Sequence, residues 1–399
     1  MFDLEKHNFI KYLLFGSLYY TEGLLKVISV LILPLYFLES GVPPNIVTLV
    51  IGISATPMIV KFFWGGITDY FIKKGRRFFI ILGGFISIFS LLVISFINPS
   101  ISLILFTLMF FLCWVGVGFL DVSSDALAIQ ISTQKERGKI NGVMYAGQSI
   151  GMASGALILP VIASLYGYNM VFIISALIVL LVIILPVIVK ERKIVKKKPK
   201  IGRLIFKELK KKNTLLVCLF SFLFTISSGM YLILAPIFMS EKLNIDTVQI
   251  GIITMLFTLS IAIGAIVGGF MTDRTGRKPT LFILISLSII FTGSLIFTKN
   301  VDNFAAIYII IGFLQGGYHS GFLALAMDIT NPIVGATQFS IFAGLANLGN
   351  ILAGALSGTL YLMLNLNQVF LYSALLFGPA LIVLYHIIPK KEEKKLMVS

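Results

Sequence analysis

The chain has 399 residues, of which 58% are hydrophobic and 12% are charged. A soluble domain is nearer half apolar and a quarter charged, so this composition excludes an ordinary soluble protein. The net charge of +15 would suggest nucleic acid as a partner, but the basic residues lie in short segments between apolar runs. We therefore expect an integral membrane protein that binds no nucleic acid.

Apolar runs recur along the whole chain, and each is long enough to cross about 30 Å of hydrocarbon as a helix. Charged residues, Gly, Pro and Asn mark their ends. The pattern predicts an all-α integral membrane fold with twelve transmembrane helices, at residues 10–37, 45–70, 77–96, 101–130, 137–164, 170–190, 214–239, 247–271, 278–297, 303–329, 337–362 and 367–388.

The predicted helices form two sets of six, in residues 1–190 and 214–399, joined by a basic segment at 191–213. The stretch from Lys190 to Lys212 carries twelve of the 32 Lys and Arg. Within it, Ile201–Leu209 has apolar residues at helical spacing. This pattern predicts either an amphipathic helix on an anionic membrane surface or a solvated charged loop.

Basic residues also predict the orientation, because cytoplasmic loops retain Lys and Arg. With the N-terminus inside, the cytoplasmic segments hold 28 of the 32. We expect both termini to be cytoplasmic and the protein to lie in the cell membrane.

The two halves resemble each other in detail. GGITDYFIKKGRR, from Gly65 to Arg77, follows helix 2, and GGFMTDRTGRK, from Gly268 to Lys278, follows helix 8. Asp125 and Asp328 are separated by nearly the same interval as the aspartates of these two segments. We expect an internal duplication with a pseudo-two-fold axis and a site between the halves.

The repeated segment has the residues of a gate. Its glycines let helices approach closely, Asp273 is suited to a neighbouring helix N-terminus, and its basic residues are suited to acids or headgroups. The alternative is that these basic residues only determine topology. The candidate gate residues are Gly65, Gly66, Asp69, Gly75, Arg76, Arg77, Gly268, Gly269, Asp273, Arg274, Gly276, Arg277 and Lys278.

GGFMTDRTGRK is similar to the signature of the major facilitator superfamily. In the first half, Tyr70 stands where the second half has Arg274 and a longer spacer precedes Gly75, so either the full charge relay or only part of it is kept there. KFFWGGITD, DVSSDALA with KERG, and ATQFSIFAGLANLG resemble segments of the bacterial anhydromuropeptide permeases and acetyl-CoA transporters, although Gly66 replaces a proline common in those families. The resemblance implies a proton-linked carrier of a polar metabolite.

Ionisable side chains inside the predicted helices cost about 2.5 to 3.5 kcal/mol each at the bilayer centre, so each needs a partner, water or a function. Glu22 and Lys26 are placed for a same-face ion pair. Asp121 and Asp125 also share a face, and their mutual repulsion favours a proton on at least one of them, which makes that group a candidate proton carrier. Lys61 is a candidate counter-charge.

In the resembled superfamily, helices 1, 4, 7 and 10 line the central cavity. We hypothesise that Asp121 and Asp125 couple protons, while Glu22, Lys26 and Lys61 help to bind a polar or charged substrate. The alternative is that Glu22–Lys26 and Lys61–Asp125 are neutralised pairs that hold helices together.

Two further candidates lie in predicted helix 10. His319 titrates near physiological pH in its unperturbed state, or it serves as a hydrogen-bonded packing residue. Asp328 precedes ITNPIVG, which is typical of a loop, so its place in the cavity is an open question. The spacing of Gly147, Gly151 and Gly155 predicts a packing face rather than a substrate site.

No Gly-rich phosphate loop of the Walker A type is present, which argues against a nucleotide-driven pump. We expect a secondary transporter that works by alternating access and moves a small polar or amphipathic solute, with that solute, protons and the bilayer as its partners. The alternatives are a proton-driven multidrug exporter and a non-transporting assembly factor on the same fold. We expect a monomer with no cofactor, metal or enzymatic activity.

Overall fold

The structure is a computed structural model that describes residues 2–3, 7–42, 44–191, 201–245, 247–363 and 366–388. Residues 192–200 and 389–399 lie outside the described residues, and so do the parts of the linker and orientation predictions that rest on them. A short strand β1 (Phe2–Asp3) pairs in parallel with β2 (Val189–Lys190).

The rest of the described chain is built mainly from helices. Its α-helices are α1 (Asn8–Val27), α2 (Leu33–Glu39), α3 (Pro44–Ile59), α4 (Lys61–Tyr70), α5 (Arg76–Ile94), α6 (Leu103–Ile131), α7 (Arg137–Tyr166), α8 (Tyr168–Ile188), α9 (Ile201–Leu209), α10 (Lys212–Glu241), α11 (Thr247–Thr275), α12 (Arg277–Ser294), α13 (Val301–Ile329), α14 (Gly335–Met363), α15 (Leu366–Leu375) and α16 (Phe377–His386).

Eleven helical stretches within the described residues are long and apolar enough to cross a membrane. The 29-residue α14 occupies the position of predicted helix 11. The predicted all-α membrane fold is confirmed, with ends shifted by a few residues. Ile201–Leu209 is a helix, which is the secondary structure that the amphipathic-helix alternative for the linker predicted.

Prolines divide two of the predicted helices. A π-helical turn, Ile28–Ile32, lies between α1 and α2, just before Pro34, whose missing N–H breaks the normal helical ladder. Pro57 precedes the break between α3 and α4 at Val60. The carbonyl oxygen of Pro57 accepts a hydrogen bond of 2.9 Å from the indole of Trp64. This bond satisfies a carbonyl group that loses its helical partner at the break.

The chain forms two compact units. The first comprises Met1–Ile131, Gly147–Leu204 and Asn331–Ser340, and the second comprises Ser132–Ala146, Ile205–Thr330 and Ile341–Ser399. Each unit thus includes a short segment from the other half of the sequence.

One helix in each unit is buried on all sides along its second half. In the first unit this is α6, which packs against α3, α4, α5 and α1. In the second unit it is α13, which packs against α11, α12 and α10. A helix buried on all faces belongs to a protein interior, so polar groups on these segments face protein rather than lipid.

Glycines bring helices into backbone contact. A Cβ atom at Gly147 would lie 2.2 Å from the carbonyl oxygen of Gly16, and one at Gly151 would lie 2.2 Å from that of Tyr20. Side chains do not fit at such distances, so the predicted glycine face of α7 is a packing face against α1.

Candidate functional site

Two aspartates lie in the buried part of α6, in the first unit. Asp121 is 2% exposed and Asp125 is 1% exposed. They are four residues apart, so their side chains lie on one face of the helix. The predicted acid pair therefore lies in the protein interior.

Lys61 neutralises one member of the pair. Its Nζ atom lies 2.7 Å from Oδ2 of Asp121, and both side chains are buried. Because α4 begins at Lys61, directly after the break that follows Pro57, the broken helix determines where the amine lies. The ion pair joins Lys61 to Asp121, whereas the structural alternative considered above paired it with Asp125.

Asp125 has a different environment. Its Oδ1 atom accepts a hydrogen bond from the hydroxyl of Tyr19 in α1. Its Oδ2 atom is buried and has no hydrogen-bond partner among the described residues. A carboxyl group with one such oxygen is poorly stabilised as an anion.

Glu22 and Lys26 form the predicted ion pair on α1, with 2.9 Å between Oε1 and Nζ. The lysine side chain is 35% exposed and the glutamate side chain 6%. We define the unit-one charge cluster as Tyr19, Glu22, Lys26, Lys61, Asp121 and Asp125. It contains three carboxyl groups and two amines, and each amine pairs with one of the carboxylates other than Asp125.

The second unit has an aromatic and polar cluster around α13. The ring of His319 stacks on that of Tyr145, with centroids 4.2 Å apart and planes at 22°. One helical turn before His319, Gln315 accepts a hydrogen bond of 2.8 Å from Tyr231. The hydroxyl of Tyr231 also lies 3.0 Å from that of Tyr318. His319 is half-buried, and its ring stacking is what a packing residue requires.

The gate segment of the second half caps a neighbouring helix, as predicted. The carboxylate of Asp273 accepts hydrogen bonds from the backbone N–H of Gly138 at 2.9 Å and of Lys139 at 2.8 Å. Both belong to the first turn of α7, where the helix dipole favours negative charge. Arg277 pairs with the same carboxylate at 2.7 Å.

Asp328 joins the same network of charges. Its carboxylate lies 2.9 Å from Nε of Arg277 and 3.0 Å from Nη1 of Arg137. Gln134 donates a further hydrogen bond to it at 3.2 Å. The network therefore contains two arginines and, with Asp273, two aspartates.

The gate segment of the first half makes the matching contact. Asp69 accepts hydrogen bonds from the backbone N–H of Ala336 at 3.3 Å and of Thr337 at 2.8 Å, at the start of α14. The Thr337 hydroxyl donates to the same carboxylate at 2.6 Å, and Arg76 forms an ion pair with it. The first half therefore keeps its aspartate–arginine pair despite Tyr70.

The motif glycines also correspond. Gly65 and Gly269 each lie four residues before the capping aspartate, and each contacts the helix that this aspartate caps. Gly75 and Gly276 both have positive φ, 91° and 94°, where L side chains are strained, and each precedes a helix that begins with an arginine.

The remaining gate residues differ in their contacts. Gly268 packs against Gly317, whereas a Cβ at Gly66 would meet nothing within 4 Å. Lys278 donates to the carbonyl of Tyr385 at 2.7 Å. Arg274 is exposed. Arg77 donates to the carbonyl of Val189 at 2.5 Å.

The structure corrects one detail of the internal repeat. α6 ends at Ile131 and α13 ends at Ile329, and a 3₁₀ turn follows each. Counted from these ends, the counterpart of Asp328 is Gln130, and Asp125 lies more than one helical turn deeper. The two aspartates that are equivalent by interval therefore belong to different sites.

Several contributing residues gave no clear signal in the sequence. Tyr19 is one of many aromatic residues in apolar runs, and the KERG segment that contains Arg137 gives no indication that this arginine pairs with Asp328. Glu191 belongs to the basic linker, yet its carboxylate accepts hydrogen bonds from the backbone N–H of Arg76 at 2.8 Å and of Arg77 at 2.9 Å. The capping role of Glu191 is visible only in the tertiary structure, because the linker sequence does not show which helix start the carboxylate contacts.

The fold and its buried charges define a multi-pass helical membrane protein. A family model described as the Major Facilitator Superfamily matches residues 18–226 and 217–397. The chain therefore belongs to the Major Facilitator Superfamily.

Similar proteins span most of its length. AmpG 4 of Rickettsia felis, provisionally named a transporter, is 26% identical over 394 residues, with 92% of this chain and 94% of that protein covered. Multidrug resistance protein MdtG of Proteus mirabilis is 23% identical over 307 residues, with 74% and 73% covered. A crystal structure of the fucose:proton symporter FucP of E. coli has a TM-score of 0.78 at 14% identity, with 96% and 99% covered, which shows the same fold.

The family and these relatives support a secondary transporter that lies in the membrane and binds small-molecule substrates. The relatives are transporters, which supports a protein without enzymatic activity.

Proposed function

We propose that the protein is a proton-coupled secondary transporter that moves a small polar or amphipathic solute by alternating access. The observation that supports coupling is the charge count of the unit-one charge cluster. Lys61 and Lys26 each pair with one carboxylate, which leaves Asp125 with a tyrosine hydroxyl as its partner. A buried anion without a cation is costly, so this carboxyl group is suited to carry a proton.

The proton would be linked to movement through Lys61. When Asp125 releases its proton, the new carboxylate competes with Asp121 for the same amine. Because Lys61 begins α4 and both aspartates lie on α6, a change of partner moves α4 relative to α6. Proton release and a helix shift thereby become one event, which is the requirement for coupling.

The aromatic and polar cluster of the second unit is our candidate for solute contact. Tyr145 and His319 are half-buried and offer aromatic surface, and the buried Gln315, one helical turn before His319 on α13, is hydrogen-bonded to the buried Tyr231. This mixture suits a solute with both polar and apolar parts. The predicted cavity role of Glu22 and Lys26 is retained in this proposal, since the lysine is partly exposed.

We propose that the two capping contacts, at Asp69 and Asp273, are the gates. Each joins a gate segment to a helix start from the other half of the sequence, so both contacts must break and reform when the halves, 1–190 and 214–399, move. Asp328 would serve the second gate, because it binds Arg137 and Arg277 there. The segment 191–213 would link the halves.

The protein would act as a monomer in the plasma membrane with both termini in the cytoplasm. The distribution of Lys and Arg along the sequence supports this orientation.

Proton flux in proteoliposomes with an enclosed pH dye tests the proposal. The panel contains sugars, amino-sugar peptides, acyl-CoA compounds and cationic drugs. We expect one class to trigger flux in the wild type and Asp125→Asn to abolish it. The matched control is Asp302→Asn, an exposed aspartate at the start of α13, which should leave the flux unchanged. Undiminished flux in folded Asp125→Asn would contradict coupling through α6.

The same panel separates uptake from the exporter alternative. A multidrug exporter would respond to the cationic drugs and protect overexpressing cells against them. A nutrient carrier would respond to one of the polar classes and cause its accumulation.

A further inference from the structure

We propose that one face of α9 binds the headgroups of anionic lipids at the bilayer surface. This basic face consists of Arg203, Phe206, Lys207 and Lys210. The inference is independent of the proposed transport mechanism, because none of these residues belongs to the charge cluster or to the gates.

The four residues form one continuous exposed surface. Arg203 lies three and four positions before Phe206 and Lys207, and these two lie four and three positions before Lys210, so all four share one side of the helix. All are exposed, and Phe206 has 62% of its surface accessible. The Nζ atom of Lys210 lies 4.3 Å from the centre of the Phe206 ring, so one cationic group of this face contacts the aromatic ring.

The positive charge of this region is not compensated by its own acids. The stretch from Lys190 to Lys212 contains twelve basic residues and two acids, Glu191 and Glu208. The carboxylate of Glu191 caps the start of α5. Glu208 is 4% exposed and pairs with Lys211 at 2.6 Å. Both acids therefore face the protein, and the basic face presents only positive charge.

The position of α9 places the helix next to a membrane span. The helix ends at Leu209, and the membrane-spanning α10 begins at Lys212. So short a connection keeps α9 at the level where α10 enters the bilayer.

The chemistry of the face matches an anionic leaflet. Lys and Arg near such a surface are attracted to lipid phosphates, and an aromatic ring among them is suited to the boundary between headgroups and acyl chains. An acidic protein would also complement the charge, but the connection to a membrane span favours lipid as the occupant.

The full-length protein in lipid nanodiscs provides the test. The substitution Phe206→Trp adds an indole reporter, and the wild type gives the background of the two native tryptophans. Discs contain phosphatidylcholine and phosphatidylglycerol, with bromine as a fluorescence quencher on only one of them. We expect brominated phosphatidylglycerol to quench the reporter more strongly than its share of the lipid predicts.

Charge variants then test the basis of this preference. In the reporter background, Arg203→Gln with Lys207→Gln should weaken the apparent affinity for phosphatidylglycerol by about 30-fold at low salt, which corresponds to about 1 kcal/mol for each basic residue. The matched control, Lys242→Gln with Lys299→Gln, removes two exposed charges elsewhere and should change little. Equal quenching by both lipids, quenching no greater than background, or an equal loss in the control variant would overturn the proposal. So would protection of the reporter by an acidic soluble protein in place of lipid.

Discussion

The buried ion pair between Lys61 and Asp121 allows the strongest test of the unit-one charge cluster. The two side chains are 7% and 2% exposed, and their charged atoms are 2.7 Å apart. Removing one partner of a buried pair strands the other charge, which typically costs about 3 to 5 kcal/mol, whereas removing both is often close to neutral. Lys61→Met should destabilise the fold by about that amount, Asp121→Asn should cost somewhat less because Asp125 can accept the amine, and the double variant should recover most of both losses.

The free energy of unfolding can be measured by SDS titration in mixed detergent micelles. The four proteins of this double-mutant cycle give the coupling energy, which we expect to be about 3 kcal/mol or more. The control is the same cycle on Glu22 and Lys26, whose lysine is 35% exposed, and there we expect about 1 kcal/mol or less. Additive losses at Lys61 and Asp121 would refute the reasoning.

Transport by the double variant then separates two roles. If the pair only holds helices together, the neutral variant recovers stability and solute-driven proton flux. If the amine changes partners during transport, stability returns while the flux stays absent.

Three further predictions concern packing, the second gate and the aromatic cluster. Gly151→Val should lower the free energy of unfolding by more than about 3 kcal/mol, because the new side chain would overlap the backbone of Tyr20. The yield of folded protein in size-exclusion chromatography should therefore fall. Gly66→Ala is the control, since it has open space and should leave that yield unchanged. Asp273→Asn should weaken the cap of α7 by about 1.5 to 3 kcal/mol, measured as lowered protection of the first-turn amides in hydrogen exchange. His319→Phe keeps ring stacking and should preserve the free energy of unfolding. A loss of solute-driven proton flux in this variant would assign a role to the ring nitrogens. Unchanged flux would show that His319 is a packing residue.

The sequence was sufficient for the helices because each apolar run is long enough to cross a bilayer and is bounded by charged residues, Gly, Pro or Asn. It also indicated that Asp273 would cap a helix, since the spacing of its motif is specific. It did not indicate which helix, because the caps at Gly138 and Ala336 depend on tertiary contacts between distant segments.

The charge cluster shows a different limit. The ionisable groups could be found one by one, because each is costly in an apolar run. The local pair of Glu22 and Lys26 could be inferred from spacing, but the partner of Lys61 could not, since the break at Val60 decides which aspartate it reaches. Counting equal intervals also misled the comparison of Asp125 with Asp328, because loops of unequal length shift the register between the halves.

The two capping contacts differ in the order in which their residues are synthesised. Asp273 emerges 135 residues after Gly138, so its partner helix already exists when the carboxylate is made. Asp69 precedes Ala336 by 267 residues, which takes roughly 10 to 50 s of synthesis at about 5 to 20 residues per second. During that interval the nascent first half contains Asp69, but α14, the helix that Asp69 caps, has not yet been translated. Insertion of α14 completes the contact, so the first half reaches its final form only near the end of synthesis.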